Sequence, residues 1–322
     1  MKATTFNQLG GADVLQLQEV PIPEIKPGKV LVKNRAIGVN FADILFRQGQ
    51  YVTTPRLPDI PGLEASGVIE AVGDGVQDLK VGARVAYIGV KTYAEYAPAS
   101  AAQVIPLPDF LSFEEGAAFP IQVLTAYHML HTAHHTTSDQ VVLVHAAAGG
   151  VGLAAVQMAK ADGAHVIGTV SNDSKADLVR DFGADAVINY TSHDFAAETM
   201  RITGNRGVDL ILDAVGEPTL KMGLRCLAPF GHLILYGRSG GVPEPLNLFT
   251  LFEKSLKVSG FVLYTVSARP QLMRQGVEAS LQLMRDRKLR LLIGETFPLA
   301  QAAEAHRHME SRQSVGKLLL IP

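Results

Sequence analysis

The residues best suited to chemistry lie in Ala147-Ala148-Gly149-Gly150-Val151-Gly152, a glycine-rich turn. It separates an apolar run, Val141 to Val144, from a stretch with apolar residues at helical spacing, Leu153, Val156 and Ala159. Glycine lets the backbone come against a ligand with no side chain between them. A helix opening at such a turn aims unpaired N–H groups and the positive end of its dipole at an anion. This is the chemistry of a pyrophosphate site. Ala147 takes the first glycine position of the G-x-G-x-x-G fingerprint and Gly149 and Gly152 the other two, so the flanking strand and helix carry the reading as much as the glycines do.

About 20 residues further on, sites selective for NAD place an Asp or Glu on the ribose hydroxyls. Here Ser171 stands in that position, after the apolar strand His165 to Val170 and before Asn172, Asp173, Ser174 and Lys175. A carboxylate at this point repels a 2'-phosphate, whereas Ser171, Asn172 and the Lys175 cation hold one through hydrogen bonds, some of them charge-assisted. NADPH is the expected cofactor. Asp173 opposes that expectation if it points inward.

Other chemistry-bearing residues lead elsewhere. Helical spacing brings His128, His131 and His135 toward one face, with His134 beside them, but no Cys or carboxylate sits among the four and no metal is expected. Cys226 is the single cysteine, which excludes an internal disulfide and a multi-cysteine zinc site and reads as a small buried apolar residue. No nucleophile-elbow pattern supports a hydrolase.

The elements that must position these residues follow from length and patterning. A chain of 322 residues is long enough for two domains with proper cores. With 29 basic and 31 acidic residues, a formal charge of -2 gives no electrostatic footprint for nucleic acid or an anionic membrane. No apolar run approaches the ~20 residues that span a bilayer. The chain opens on strand-like Lys2 to Phe6 rather than on a basic-then-apolar signal segment, so a cytoplasmic location is expected.

Residues 1–121 are rich in Gly, Pro and short Val/Ile stretches, with strands expected at Val30 to Lys33, Gly67 to Val72, Arg84 to Ile88 and Tyr93 to Ala97. A helical pattern from Ser112 to Ala133 leads into the glycine-rich turn. Beyond Tyr190, strands at Val208 to Asp213, His232 to Tyr236 and Leu256 to Val262 alternate with helices, predicting a six-stranded parallel sheet. Helices at Pro270 to Asp286 and Ala300 to Met309 precede a last strand, Lys317 to Ile321, expected to return to the β-rich part. The reading is an α/β protein: a β-rich domain of residues 1–121 and 266–322, a nucleotide-binding domain of residues 122–265 inserted in it, and a substrate cleft between them.

Several stretches together resemble one family along the whole chain: Gly38-Val39-Asn40-Phe41-Ala42-Asp43, Arg47-Gln48-Gly49-Gln50-Tyr51, Pro61-Gly62-Leu63-Glu64-Ala65-Ser66-Gly67, Leu124-Thr125-Ala126, His145 to Gly152, and Glu310-Ser311-Arg312. The sequence is similar to the zinc-independent medium-chain dehydrogenases/reductases of the quinone oxidoreductase, or zeta-crystallin, type. That resemblance implies a GroES-like catalytic domain plus a Rossmann doubly wound parallel-sheet domain, NADPH, and a homodimer pairing strands near Lys257 to Val262. It places Gly149, Gly150, Val151 and Gly152 near the pyrophosphate, and Ser171, Lys175, Tyr190 and Arg312 near the 2'-phosphate. It puts Asn40 and Thr125 near the nicotinamide, with Tyr236 and Gly237 completing the cofactor set. Asn40, Tyr51 and Thr125 are the expected catalytic residues.

The zinc-dependent relatives hold their catalytic metal through a Cys and a His where this chain has Asn40 and Leu63, and Glu64 remains from their motif with a structural role expected. Without a Lewis acid, the fitting substrate is an acceptor already electron-poor, a quinone or a conjugated carbonyl compound. NADPH-dependent reduction of quinones is the leading expectation. Alternatives are a 2-enal, enone or enoyl-thioester reductase with Tyr51 as proton donor, and a non-catalytic NADPH-binding structural or sensory protein. Leu45 departs from the tyrosine that bacterial quinone reductases of this type tend to carry there.

Overall fold

The computed structural model describes residues 1–322, which form two compact units, Met1–Ile121 with Leu291–Pro322, and Gln122–Arg290. In the first unit the strand Lys29–Val39 is central. It pairs antiparallel with Glu64–Val72, Tyr96–Ser100 and the terminal strand Lys317–Ile321, and the sheet continues through Arg84–Ile88 to Val104–Pro106. Alternating apolar residues such as Val30, Val32, Ile37, Ile69, Val85 and Leu320 fill its core. The last strand thus joins the β-rich unit across nearly the whole chain.

The second unit is a six-stranded sheet, parallel throughout, in the order Ala186–Asn189, His165–Val170, Val141–Val144, Val208–Asp213, Leu227–Leu235, Lys257–Gly260. The inner strands read as unbroken apolar runs because helices cover both faces. Strand order reverses beside Val141–Val144, the switch point at which open α/β sheets bind ligands.

Three expectations differ in detail, the first being that the strand expected at Tyr93 to Ala97 runs Tyr96–Ser100. The helical stretch from Ser112 is broken: Phe113–Ala118 ends before Pro120, which lacks an N–H and opens a second helix, Pro120–His128, as its first residue. The second unit also runs past residue 265 to Arg290 and takes in the helix Pro270–Arg285. Gly276 packs so closely that a Cβ there would lie 2.5 Å from His128 Nε2. The Arg290 backbone exchanges two hydrogen bonds with the Gln157 side chain, at 2.9 and 3.0 Å, while its guanidinium lies 4.2 Å over the Phe182 ring.

Candidate cofactor and active site

The glycine-rich turn sits at the carboxyl end of the central strand. Gly149 precedes the helix Gly150–Ala161 in an extended conformation, and Ala146 turns the chain with φ of 51°. A Cβ on Gly152 would lie 2.5 Å from Ala146 O and 2.7 Å from Ala147 Cα, so this glycine lets the helix press onto the loop. A Cβ on Gly150 would meet the Gln122 side chain at 2.0 Å. Beneath the loop, the buried His145 imidazole bonds Thr169 Oγ1 at 2.9 Å and meets Phe195 edge-on, tying the first strand to the second. Burial holds its pKa below the usual histidine range.

The tip of the second strand resolves the Asp173 question. Asn172 caps the helix Asp173–Asp181 by accepting the Lys175 N–H at 2.9 Å, and Asp173 Oδ1 accepts the Asn189 side-chain N–H at 2.8 Å. The Asp173 carboxylate is therefore engaged by the next strand. Ser171 ends the second strand, Lys175 lies in the first turn of the helix, and Tyr190, 41% exposed, follows the third strand with its N–H on Val170 O at 3.0 Å. Burial lowers the Lys175 ammonium pKa, a cost that an anionic partner offsets.

At the fourth and fifth strand ends, Tyr236 donates its N–H to Asp213 O at 2.9 Å, and Gly237 packs on Ala214, whose carbonyl oxygen would lie 2.6 Å from a Cβ. The buried Asp213 carboxylate accepts the N–H groups of Val215 and Gly216 at 2.7 and 3.1 Å and the Thr219 hydroxyl at 2.8 Å. Burial and that charge raise the Tyr236 phenol pKa. Asp213 was legible as a strand-ending Asp before a glycine turn, although it drew no expectation; Gln122 carries no sequence signal. Thr125, on the helix Pro120–His128, is buried with no hydrogen bond to its hydroxyl.

In the first unit Asn40 caps the helix Phe41–Arg47, its N–H donating to Asp43 Oδ2 at 2.9 Å. Its side chain is held from two sides: Lys317 Nζ donates to Asn40 Oδ1 at 2.8 Å, and Asn40 Nδ2 donates to Glu64 Oε1 at 2.9 Å. Lys317 and Glu64 are themselves a fully buried ion pair at 2.5 Å, and the second Glu64 oxygen accepts the Ile121 N–H at 2.7 Å. Glu64 thus has both the backbone and the cation partner that its structural role requires. An amide oxygen bonded to an ammonium, beside the apolar Leu63, is the opposite of a cation-binding pair.

A buried network continues from Asp43. Its Oδ2 accepts the Tyr93 hydroxyl at 3.1 Å, Tyr93 Oη lies 2.9 Å from His306 Nε2, and Arg47 lies 3.1 Å from His306 Nδ1 and 2.6 Å from Glu310 Oε1. Because arginine only donates, His306 accepts at Nδ1 and carries its proton on Nε2, and burial beside Arg47 lowers its pKa to about 3. Burial raises the Asp43 carboxyl to about 7, and Asp43 Oδ1 has no partner. Glu310 joins Arg47 to the tail that carries Arg312, which has φ of 60°. Tyr51 is partly buried, its hydroxyl makes no hydrogen bond within the protein, and burial and the Asp43 charge raise its pKa.

The four histidines take separate partners. His128 bonds Thr132, His131 bonds Asp162 at 2.8 Å, His134 bonds His232 and Gln140, and His135 closes the segment with φ of 69°. Asp162 is the carboxylate that local sequence did not offer.

Residues 26–109 match the family described as alcohol dehydrogenase GroES-like domain, and residues 150–279 that described as zinc-binding dehydrogenase. Over its whole length the chain is 36% identical to a quinone oxidoreductase of Pseudomonas aeruginosa, of which it covers 99%. The chain belongs to the quinone oxidoreductase family of medium-chain dehydrogenases/reductases. Its GroES-like and Rossmann units are the architecture of that family. The crystal structure of Escherichia coli quinone oxidoreductase complexed with NADPH superposes with a TM-score of 0.96 at 35% identity, each chain covered completely. A 2-haloacrylate reductase of Burkholderia is 35% identical over 99% of this chain and 98% of its own.

Proposed function

We propose that this protein is an NADPH-dependent reductase of quinones. The observation that carries the reading is the phosphate-receptive pattern of the second unit. Gly149 to Gly152 open a helix at the switch point, and at the next strand tip Ser171 and Lys175 stand where the nearest carboxylate, Asp173, is bonded to Asn189. These residues fit a dinucleotide: the Gly152 contact holds the helix N-terminus on its loop, and Lys175 places a cation in the first turn of the next helix.

Gly149, Gly150, Val151 and Gly152 would hold the pyrophosphate, Ser171, Lys175, Tyr190 and Arg312 the 2'-phosphate, and Thr125, Tyr236 and Gly237 the remainder, with Asn40 at the reacting end. When bound, the cofactor supplies two reducing electrons to an electron-poor acceptor. The protein's own work is positioning, exclusion of water and stabilisation of the negative charge that reduction places on the acceptor oxygen. The similarity to quinone oxidoreductases supports a quinone as that acceptor.

A second reading, reduction of a conjugated alkene bearing a carbonyl, is favoured by the Tyr51 hydroxyl, which makes no hydrogen bond within the protein, and by similarity to a protein named 2-haloacrylate reductase. The test is loss of NADPH, and separately of NADH, with a benzoquinone, a fused-ring quinone, a 2-enal and a 2-haloacrylate, with and without chelator. Fast NADPH loss with quinones, insensitive to chelator, is expected. Turnover confined to the alkenes transfers the assignment to the second reading, and cofactor binding without turnover on any acceptor overturns both.

A further inference from the structure

We propose that Lys317 is a positioning residue which, with Glu64, turns Asn40 into a hydrogen-bond donor for the charge that reduction places on the acceptor oxygen; the inference rests on the reductase reading above. Sheet register explains how the three meet. Leu318 pairs with Val39, so Lys317 comes opposite Asn40, and on the other side of the same strand Ala65 pairs with Ile37, which brings Glu64 to Gly38. Gly38 makes the crossing possible, since a Cβ there would lie 2.6 Å from Glu64 Cγ and Oε1.

An amide can usually be flipped without penalty in the fold; here it cannot. Reversal would set Nδ2 against the Lys317 ammonium and Oδ1 against the Glu64 carboxylate, two repulsions from charged side chains that are 0% exposed. The observed orientation spends Oδ1 on Lys317 and one Nδ2 hydrogen on Glu64. The second hydrogen has only Gly38 O, at 3.5 Å, a weak contact. That hydrogen is the amide's remaining capacity, and an amide whose oxygen accepts from an ammonium is polarised into a stronger donor. Lys317 acts through Asn40 and touches no substrate.

The test uses the full-length protein with NADP⁺ and two probes, 4-nitrophenolate as a mimic of the anionic product and nitrobenzene as its neutral counterpart, titrated calorimetrically. The variants are Lys317→Met with Glu64→Gln, which removes both buried charges together, Asn40→Leu, and the combination of all three. Expected is a loss of nitrophenolate affinity of at least about tenfold in the double variant, ~1.4 kcal/mol, with nitrobenzene and cofactor binding within about twofold. The same loss is expected in Asn40→Leu, with no further loss on combination, because the charges act through the amide.

Unchanged nitrophenolate affinity in a folded double variant, or losses that add, overturns the inference while leaving the reductase reading intact. Wild-type protein that binds neither probe overturns both. Should the double variant not fold, Asn40→Leu alone decides: if it keeps nitrophenolate affinity, Asn40 is no such donor.

Discussion

Lys175 and Asp43 show how single groups make the site testable. If Lys175 holds the 2'-phosphate as proposed, Lys175→Ala is expected to weaken NADPH by about 1.5–3 kcal/mol, the scale of a charged hydrogen bond, and to leave NADH nearly unchanged. Fluorescence titration with both cofactors checks this, and equal losses would assign Lys175 to loop support. Asp43 makes a pH prediction. Its folded pKa, about 7, lies above the ordinary 3.8 because of burial, so the folded state holds the extra proton between those values. Stability from this group is fully present below about pH 4 and is lost as pH rises through 7. His306 works oppositely, since its pKa of about 3 makes stability fall as pH drops below the ordinary 6.5. Lys317, Glu64, Tyr93 and Tyr51 all act on Asp43 and stay in place in Asp43→Asn, which keeps an acceptor for the Asn40 N–H. The variant is expected to lose less stability than wild type between pH 5 and 8, by on the order of a few kcal/mol, in denaturant titrations at each pH. Lys175 drew its expectation from its place after the second strand, and Asn40 and Tyr51 from the family resemblance. Lys317 was not, because it meets Glu64 across 253 residues of chain and nothing local marks it.

At the scale of elements, what sequence conveys depends on whether a signal is local. The parallel sheet was legible strand by strand, because buried runs such as Val141 to Val144 and Val208 to Asp213 alternate with helices of clear period. The helix Phe41–Arg47 was not expected. Its start is fixed by Asp43, whose side chain accepts the Asn40 N–H while its own N–H donates to Asn40 O, and the helix buries a charged residue, Arg47, that sequence would place outside. The boundary near residue 266 missed because the amphipathic helix Pro270–Arg285 does not announce which core it covers; Gly276 against His128 and Arg290 against Gln157 decide it. The helix Gly150–Ala161 carries a prediction of its own. Alanine is the better helix former by about 0.8–1 kcal/mol, but in Gly152→Ala the new methyl meets backbone atoms at 2.5 and 2.7 Å, and overpacking costs about 1–3 kcal/mol. The clash is against backbone, which cannot rotate away, so it prevails. Lower stability on denaturant unfolding and weaker NADPH binding are expected together, and a more stable variant would show that the loop yields easily.

For the whole molecule, the parallel sheet of the second unit ends on Lys257–Gly260, which pairs with Leu227–Leu235 on one side and with no strand of its own chain on the other. An edge of that kind is a template for another strand. No helix of the chain is long and apolar enough to cross a membrane. Phe249 and Phe252, 73% and 74% exposed, stack edge-on in the segment Leu248–Lys254 leading into the edge strand, and Tyr264, 78% exposed, follows it. With the edge strand they form the surface that we propose as the subunit contact of a homodimer. Single exposed aromatics are ordinary, but a stacked pair leading into an open strand is a contact surface worth burying. Replacing both phenylalanines, Phe249→Glu with Phe252→Glu, sets two carboxylates in that patch. Sedimentation velocity is expected to show the wild type as a dimer at micromolar concentration and the double variant as a monomer, with the second unit still binding NADPH because neither residue belongs to the cofactor set. A variant that sediments like wild type would move the subunit contact elsewhere. A monomeric wild type would assign the patch to a different partner and leave the proposed cofactor set, which holds neither phenylalanine, unaffected.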